Sequence, residues 1–280
     1  MARFFKHQLT VKSICSALEI DCSSDAIIDS ICSPERTTDN SICVYMKGEL
    51  PNICENLWLL TNKAVEGYNC ILIDNPKAAL SKLNETLFEF DEIEHSIAED
   101  VVLGENVVIE NHVQIGSGTV IEHGAIIYKG TIIGKNCLIQ ANSSVGSLPY
   151  TFYNDDKGNL QRLPSFGHVE VGDNVEIGAN STIDVGSVDN TIIHTNTKID
   201  NLVHIGHDCE VGENATIVAG SMLCGYVSIG RNTRLAPNCT VKQRLSIGEN
   251  CVVGLGSVVM TNIPDNMSCF GVPARKAKKG

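Results

Sequence analysis

The sequence predicts a mainly β chain whose larger part is a parallel β-helix, preceded by a small α/β domain. Three observations carry this expectation. An aliphatic residue recurs every six positions over roughly two thirds of the chain. A second column, two residues earlier, holds small or β-branched side chains. Gly often follows the aliphatic position, where tight turns are easy for it.

The aliphatic register runs through Ile97, Leu103, Ile109, Ile115, Ile121, Ile127, Ile133, Ile139 and Val145. It breaks, resumes at Val171, Ile177 and Ile183, shifts, and continues from Ile193 through Ile199, Ile205, Val211, Ile217, Leu223, Ile229, Leu235, Val241, Ile247, Val253 and Val259. A period of six is neither the two of a strand nor the 3.6 of a helix. It suits a short strand and a corner, with alternate side chains pointing inward. The small column contains Val101, Thr119, Ala125, Ser143, Thr191, Ala215, Ser221 and Ser257; only His95 and Leu245 depart from it. Cys137, Cys209, Cys239 and Cys251 fall in the same column, which reads them as small core residues rather than nucleophiles.

Residues 1–90 lack the repeat and form the small α/β domain. Thr10 caps a helix through Leu18, and strands are expected at Ala26–Cys32, Ser41–Met46 and Tyr68–Ile73. Asn75-Pro76 opens a helix from about Lys77 to Leu87. Residues 91–262 are the β-helix, and residues 263–280 a C-terminal loop and basic tail. The helix ejects a loop, residues 146–168, which carries Tyr150, Phe152 and Tyr153 among turn formers. A long loop leaving a rigid coil with aromatic side chains points to binding. The second interruption, Val185–Thr191, is short enough to be a bulged corner.

Composition narrows the classes. The chain has 280 residues and a net charge of -12, which disfavours a nucleic-acid partner. No stretch approaches the roughly 20 apolar residues of a membrane span, and the start lacks the apolar region of a secretory signal, so a cytoplasmic location is expected. The 12 cysteines are scattered and form no CxxC pair. The one basic run is Arg275, Lys276, Lys278 and Lys279.

The segment from Ile199 to Gly212 is the most informative for chemistry. His207 stands two places after an aliphatic position, at a corner rather than in the core. One coil further, Gly225 falls at the same corner. A general base beside an available backbone N–H is what acyl transfer to an amine needs: the base takes the proton and the N–H holds the oxyanion. An ordinary histidine titrates near pH 6.5, low enough to act as a base at neutral pH. Asp208 is placed to orient the imidazole. His204, one place before an aliphatic residue, lies on an outer face and is a candidate for substrate contact, as is Asn201. His112, His123, His168 and His194 have no comparable context and read as surface residues.

The repeat resembles that of the hexapeptide-repeat acyltransferases. The resemblance implies a left-handed parallel β-helix of about eight coils, three strands to a coil, and a homotrimer with sites between subunits. Ordinary crossover rules alone would give the opposite hand. From Val169 to Ile229 the chain is similar to the UDP-3-O-acylglucosamine N-acyltransferases of lipid A synthesis and to related nucleotide-sugar N-acyltransferases. That similarity implies His207 as base, Asp208 as its orienting acid and Gly225 as the oxyanion amide. It assigns Tyr150, Phe152 and Tyr153 to the sugar pocket and gives residues 1–90 a nucleotide-binding role. Two departures stand out. The lipid A enzymes carry a second active-site His where this chain has Arg244, beside Gln243, and their uracil-stacking aromatics have no counterpart, since Cys43 and Glu49 fall there.

The end of the chain, Ile263 to Arg275, resembles the G-x-P-A-[KR] ending of CoA-dependent members. It implies that Gly225, Gln243, Pro273, Ala274, Arg275 and Lys276 contact coenzyme A. The chain lacks the helical extension with which the lipid A enzymes dock acyl carrier protein. The leading expectation is therefore an acyl-CoA-dependent N-acyltransferase acting on a nucleotide-linked amino sugar for surface glycan synthesis, with no metal. The lipid A enzyme using acyl carrier protein is the alternative. A zinc carbonic anhydrase on the same fold, which needs three converging His ligands, and a purely structural β-helix are the readings from other classes.

Overall fold

Two-residue strands recur every six residues from Ser96–Ile97 to Val258–Val259, with longer strands, Ser144–Ser147, Val169–Val171, Thr182–Asp184 and Thr191–Ile193, flanking the two places where the chain leaves the repeat. The structure is a computed structural model and describes residues 3–46, 50–273 and 275–278. The strands stack in parallel into three sheets, and each strand pairs with the one a full coil later: Val120 with Leu138, Ile126 with Ser144, and His204 with Met222. This is the parallel β-helix of strand and corner that the period of six predicts, and its left hand is the one that the resemblance, not the period, implies. Two of the sheets have eight strands. The third gains a ninth parallel strand, Met267–Phe270, and an antiparallel one, Arg275–Lys278, so the basic run is sheet as far as Lys278, and Lys279 lies outside the described residues.

The inward column is the core. From Ile115 to Val259 the register positions are buried with almost no exposure, and the small column fills the corners between them. Burying each aliphatic side chain contributes roughly 1.5–3 kcal/mol. Cys137, Cys209, Cys239 and Cys251 are buried in that column, and their thiols bond to backbone carbonyls. Burial pushes the Cys209 thiol up to about 12 and raises Cys137 and Cys239, which removes them as nucleophiles. Most corners turn through a residue in the left-handed region. Most of these are Asn or Gly, among them Asn106, Asn214 and Gly220.

The chain forms two compact units. The second is the helix: residues 92–149, 167–186 and 190–280. The first comprises residues 1–91, together with 150–166 and 187–189, so both interruptions of the repeat contribute to it. Val185–Thr191 is therefore more than a bulged corner. Within this unit a five-stranded sheet has the order β1 (Arg3–Thr10), β2 (Ile27–Cys32), β3 (Ser41–Val44), β4 (Trp58–Thr61) and β5 (Asn69–Leu72). β1 is antiparallel to β2 and the rest are parallel. Two helices complete it, α1 (Val11–Ala17), capped by Thr10, and α2 (Pro76–Thr86), capped by Asn75. The ejected loop folds as a hairpin, Phe152–Asn154 against Leu160–Arg162. Its end, Phe166, packs beside Phe88 and Phe90, and Val188 joins the same core. Ser33 donates to Asp189.

In the helix, a polar knot holds the points where the chain re-enters. His168 and Asn190 both bond Glu170, and Asn190 also accepts from the His168 backbone. His168 is thus half-buried rather than a surface residue. His112, His123 and His194 each have a structural partner, in Glu92, the Glu105 N–H and Glu210 respectively.

Candidate active site

His207 and Gly225 share one corner of adjacent coils, as the spacing of their positions requires. The chain reaches it through the strand His204–Ile205, whose Ile205 is fully buried and fixes which residues turn outward. His207 Nδ1 lies 2.6 Å from Asp208 Oδ2. The Asp208 side chain is fully buried, and its backbone N–H donates to Thr191 Oγ1 at 2.9 Å. Asp208 takes the left-handed corner position, φ 58°, which an Asx side chain tolerates. The carboxylate thus holds the Nδ1–H tautomer and leaves Nε2 as the base.

Nε2 points along the helix toward Gly225. A Cβ built on Gly225 would lie 2.5 Å from both Nε2 and Cε1 of His207, so only glycine fits beneath the ring. The carbonyl of Gly225 accepts from Arg244 N, but no group among the described residues accepts from its N–H. At Glu105, Lys129, Ala141 and Glu249 the equivalent corner N–H is taken by a side chain of a neighbouring coil. A base and a free amide therefore stand side by side, which is the arrangement an addition to a carbonyl uses.

Tyr226 walls the site. Its ring stands edge-on to His207, centroids 5.3 Å apart, and the Arg244 guanidinium lies 4.2 Å over its face. Arg244 is thus stacked on an aromatic ring where the resemblance leads one to look for a second histidine. Burial holds its pKa below the usual guanidinium value.

On the strand stacked against His204–Ile205, Ile183 pairs with Ile205 and is followed by Asp184, which the sequence reading passes over. It is 8% exposed and accepts from Ser147 Oγ at 3.0 Å. His204 Nε2 lies 3.7 Å from Asp184 Oδ2, and His204 Nδ1 is 2.8 Å from Thr182 Oγ1. Burial raises the Asp184 pKa, while the charges of His204 and His207 and the Ser147 hydrogen bond pull it back. His204 therefore belongs to the same constellation as His207. Asn201 does not: it sits at another corner, where its Oδ1 accepts from Ala179 N.

The other candidates fall elsewhere. Gln243 is exposed, at the corner one coil beyond Gly225. Pro273 is exposed after a cis peptide bond, and Arg275 and Lys276 lie on the antiparallel strand paired with Phe270 and Cys269. Ala274 lies outside the described residues. Tyr150, Phe152 and Tyr153 belong to the first unit; Tyr150 is 88% exposed and stands edge-on to Phe152, over which Arg162 is stacked.

The repeats match two hexapeptide models of transferases. The family "Bacterial transferase hexapeptide (six repeats)" matches residues 112–147 and 190–225, and "Hexapeptide repeat of succinyl-transferase" matches 168–193 and 244–267. The chain is 34% identical over 130 residues to a protein of Arabidopsis thaliana named probable UDP-3-O-acylglucosamine N-acyltransferase 2, mitochondrial, covering 46% of this chain and 43% of that one. It is 36% identical over 137 residues to UDP-3-O-acylglucosamine N-acyltransferase 2 of Rhodopseudomonas palustris, covering 49% of this chain and 36% of that one. The chain thus spans less than half the length of these relatives. Among solved structures, the UDP-N-acetylglucosamine acyltransferase of Francisella novicida superposes with a TM-score of 0.60 at 28% identity over 68% of each chain.

Proposed function

We propose that this hexapeptide-repeat protein is an acyltransferase that moves an acyl group from a thioester to the amino group of a nucleotide-linked amino sugar. The observation that supports this most directly is the juxtaposition of His207 Nε2 with the unclaimed N–H of Gly225. The acceptor amine attacks the thioester carbonyl while His207 takes its proton. The tetrahedral oxyanion is held by the Gly225 N–H. Asp208 keeps the imidazole in its tautomer and offsets the positive charge it acquires. Collapse breaks the C–S bond, and the thiolate leaves with the proton that His207 returns.

For the acceptor, both curated relatives carry the name of the reading that the sequence alone placed second. UDP-3-O-acylglucosamine is therefore the acceptor we propose, in place of another amino sugar. The donor goes with it: acyl carrier protein, whose phosphopantetheine thioester is chemically that of acyl-CoA.

The test is a matched set of reactions followed by thiol release. The same acyl group is supplied on carrier protein and on CoA, with UDP-3-O-acylglucosamine and other nucleotide-linked amino sugars as acceptors. Transfer from the carrier to UDP-3-O-acylglucosamine is expected. Efficient transfer from CoA to a different amino sugar would restore the surface-glycan reading. No transfer to any amine would remove N-acyl transfer altogether.

A further inference from the structure

We propose that Asp184 selects an amine over a hydroxyl as the acceptor, by taking one N–H of the acceptor nitrogen while His207 takes the other. The inference rests on the N-acyl transfer reading above and names the residue that would enforce it.

Asp184 follows Ile183 directly, at the end of the strand Thr182–Asp184. That strand pairs with Ser144–Ser147, and the register shifts between Val145 and Ser147, a bulge that brings Ser147 opposite Asp184. Bulges of this kind re-aim side chains. Here the result is a carboxylate withdrawn from solvent yet with unequal oxygens. Oδ1 accepts from Ser147 Oγ at 3.0 Å. Oδ2 has no hydrogen-bond partner among the described residues; it faces His204 Nε2 at 3.7 Å, beyond hydrogen-bond reach. The charges of both His204 and His207 act on it. A nearly buried carboxylate with one oxygen that accepts no hydrogen bond, on the strand paired with the one that leads to His207, is a strong acceptor for an incoming donor.

The chemistry of the two possible nucleophiles then differs. An amino group arrives largely as an ammonium, which the carboxylate attracts. After it gives one proton to solvent it still has two N–H groups. One goes to His207 Nε2 and is transferred; the second donates to Asp184 Oδ2 and turns the lone pair toward the thioester carbonyl. A hydroxyl has a single hydrogen. If it is given to His207, the lone pairs of the hydroxyl oxygen face the carboxylate, and Oδ2 gains no donor from the acceptor. In the transfer itself a C–N bond forms, the C–S bond breaks, and the proton passes from nitrogen to His207 and on to the thiolate; Asp184 keeps its charge throughout.

The test compares a nucleotide-linked 2-amino sugar with its 2-hydroxy counterpart, using one acyl thioester, for the wild type, Asp184→Asn and Asp184→Ala. With Asp184→Ala, kcat/KM for the amine is expected to fall by roughly 10- to 100-fold. The much slower reaction of the hydroxyl compound should be unchanged or faster, so the preference ratio collapses. Asp184→Asn keeps the shape and one acceptor oxygen and should lie between. Equal losses for both acceptors would make Asp184 a support for the histidines and overturn the proposal, as would an unchanged ratio. If the wild type transfers to no amine while the protein is folded, the functional reading falls and takes this inference with it. A wild type that acylates amines, with variants that keep its preference, would sink the inference alone.

Discussion

Gly225→Ala is the sharpest probe of the site, because it leaves every proposed chemical group in place. The variant keeps the backbone N–H and the backbone conformation, since Gly225 is not among the glycines with positive φ. What changes is space. The new methyl would lie 2.5 Å from Nε2 and Cε1 of His207 and 3.1 Å from Cδ2. Ordinary carbon contacts need about 3.5 Å, so the ring must retreat by about 1 Å. It is bounded by the Tyr226 ring on one side and tied to Asp208 at 2.6 Å. A displacement of that size at a reacting group costs on the order of 10²-fold in rate, and complete loss of the base costs roughly 10²–10⁴-fold. Turnover should therefore fall by about 10²-fold or more, with the fold intact and a modest overpacking penalty of about 1 kcal/mol. The assay is steady-state thiol release for wild type, Gly225→Ala, His207→Ala and the double variant. If the methyl acts through His207, it adds nothing once the ring is gone. Near-normal turnover of Gly225→Ala, or multiplicative losses in the double variant, would refute the reasoning.

Asp208→Asn should fold well, because Asn fills the same left-handed corner at Asn214 and Asn232. It should nevertheless lower kcat by roughly 10²–10⁴-fold through the wrong imidazole tautomer, measured with saturating substrates. Asp184→Asn should raise the melting temperature at neutral pH. Burial raises the Asp184 pKa in the folded state, so stability falls as pH rises from the unfolded carboxylate value through the folded one; the gain of the variant should vanish below the lower of the two. A variant less stable than wild type at neutral pH would contradict this. Light scattering should give about three times the chain mass of 30.2 kDa. The outward face carrying Val108, Ile126, Ser144, Thr182, His204, Met222, Thr240 and Val258 has no acidic, Lys or Arg side chain, and it borders the His207 corner. A monomer with full activity would contradict that assembly.

The helix was legible because a step of six translates directly into strand and corner, so His207 and Gly225 could be stacked by arithmetic. The same arithmetic hid Asp184. Both excursions intervene between Val145 and His207, and the second falls between Asp184 and His207, so the one-coil step does not connect the two. Only the stacked strands bring them together: Thr182 pairs with His204, and Ser147 with Asp184. The excursions were legible as breaks in register but not in their destination. The cue was apolar: Phe166 and Val188 are large side chains outside the repeat, and both are buried in the core of the first unit. In that unit β1 and β4 escape the sequence reading. β1 runs directly into the cap of α1, with no turn between them, and β4 is only four residues long.

The left-handed corners give a further signal that the sequence already contains. Within the helix, non-Gly residues at these positions are mostly Asn; the exceptions are His112, Leu202, Asp208, Tyr226 and Arg244. Three of them, Asp208, Tyr226 and Arg244, lie one coil apart on the His207 corner. For a Tyr or Arg this conformation costs on the order of 1 kcal/mol, and strain of that kind collects at functional sites. Tyr226 accounts for its presence by what it touches: its edge faces the His207 ring and its face carries Arg244. Replacing it separates the two effects. Tyr226→Ala and Tyr226→Asn both remove the ring, so both should lower kcat by several-fold as the imidazole gains freedom. Only Asn relieves the backbone, so it should be more stable than the Ala variant by about 1 kcal/mol, read as a higher melting temperature. Equal melting temperatures for the two variants would show that the corner holds no strain. Full turnover in both would show that His207 is held by Asp208 alone and that Tyr226 serves another purpose.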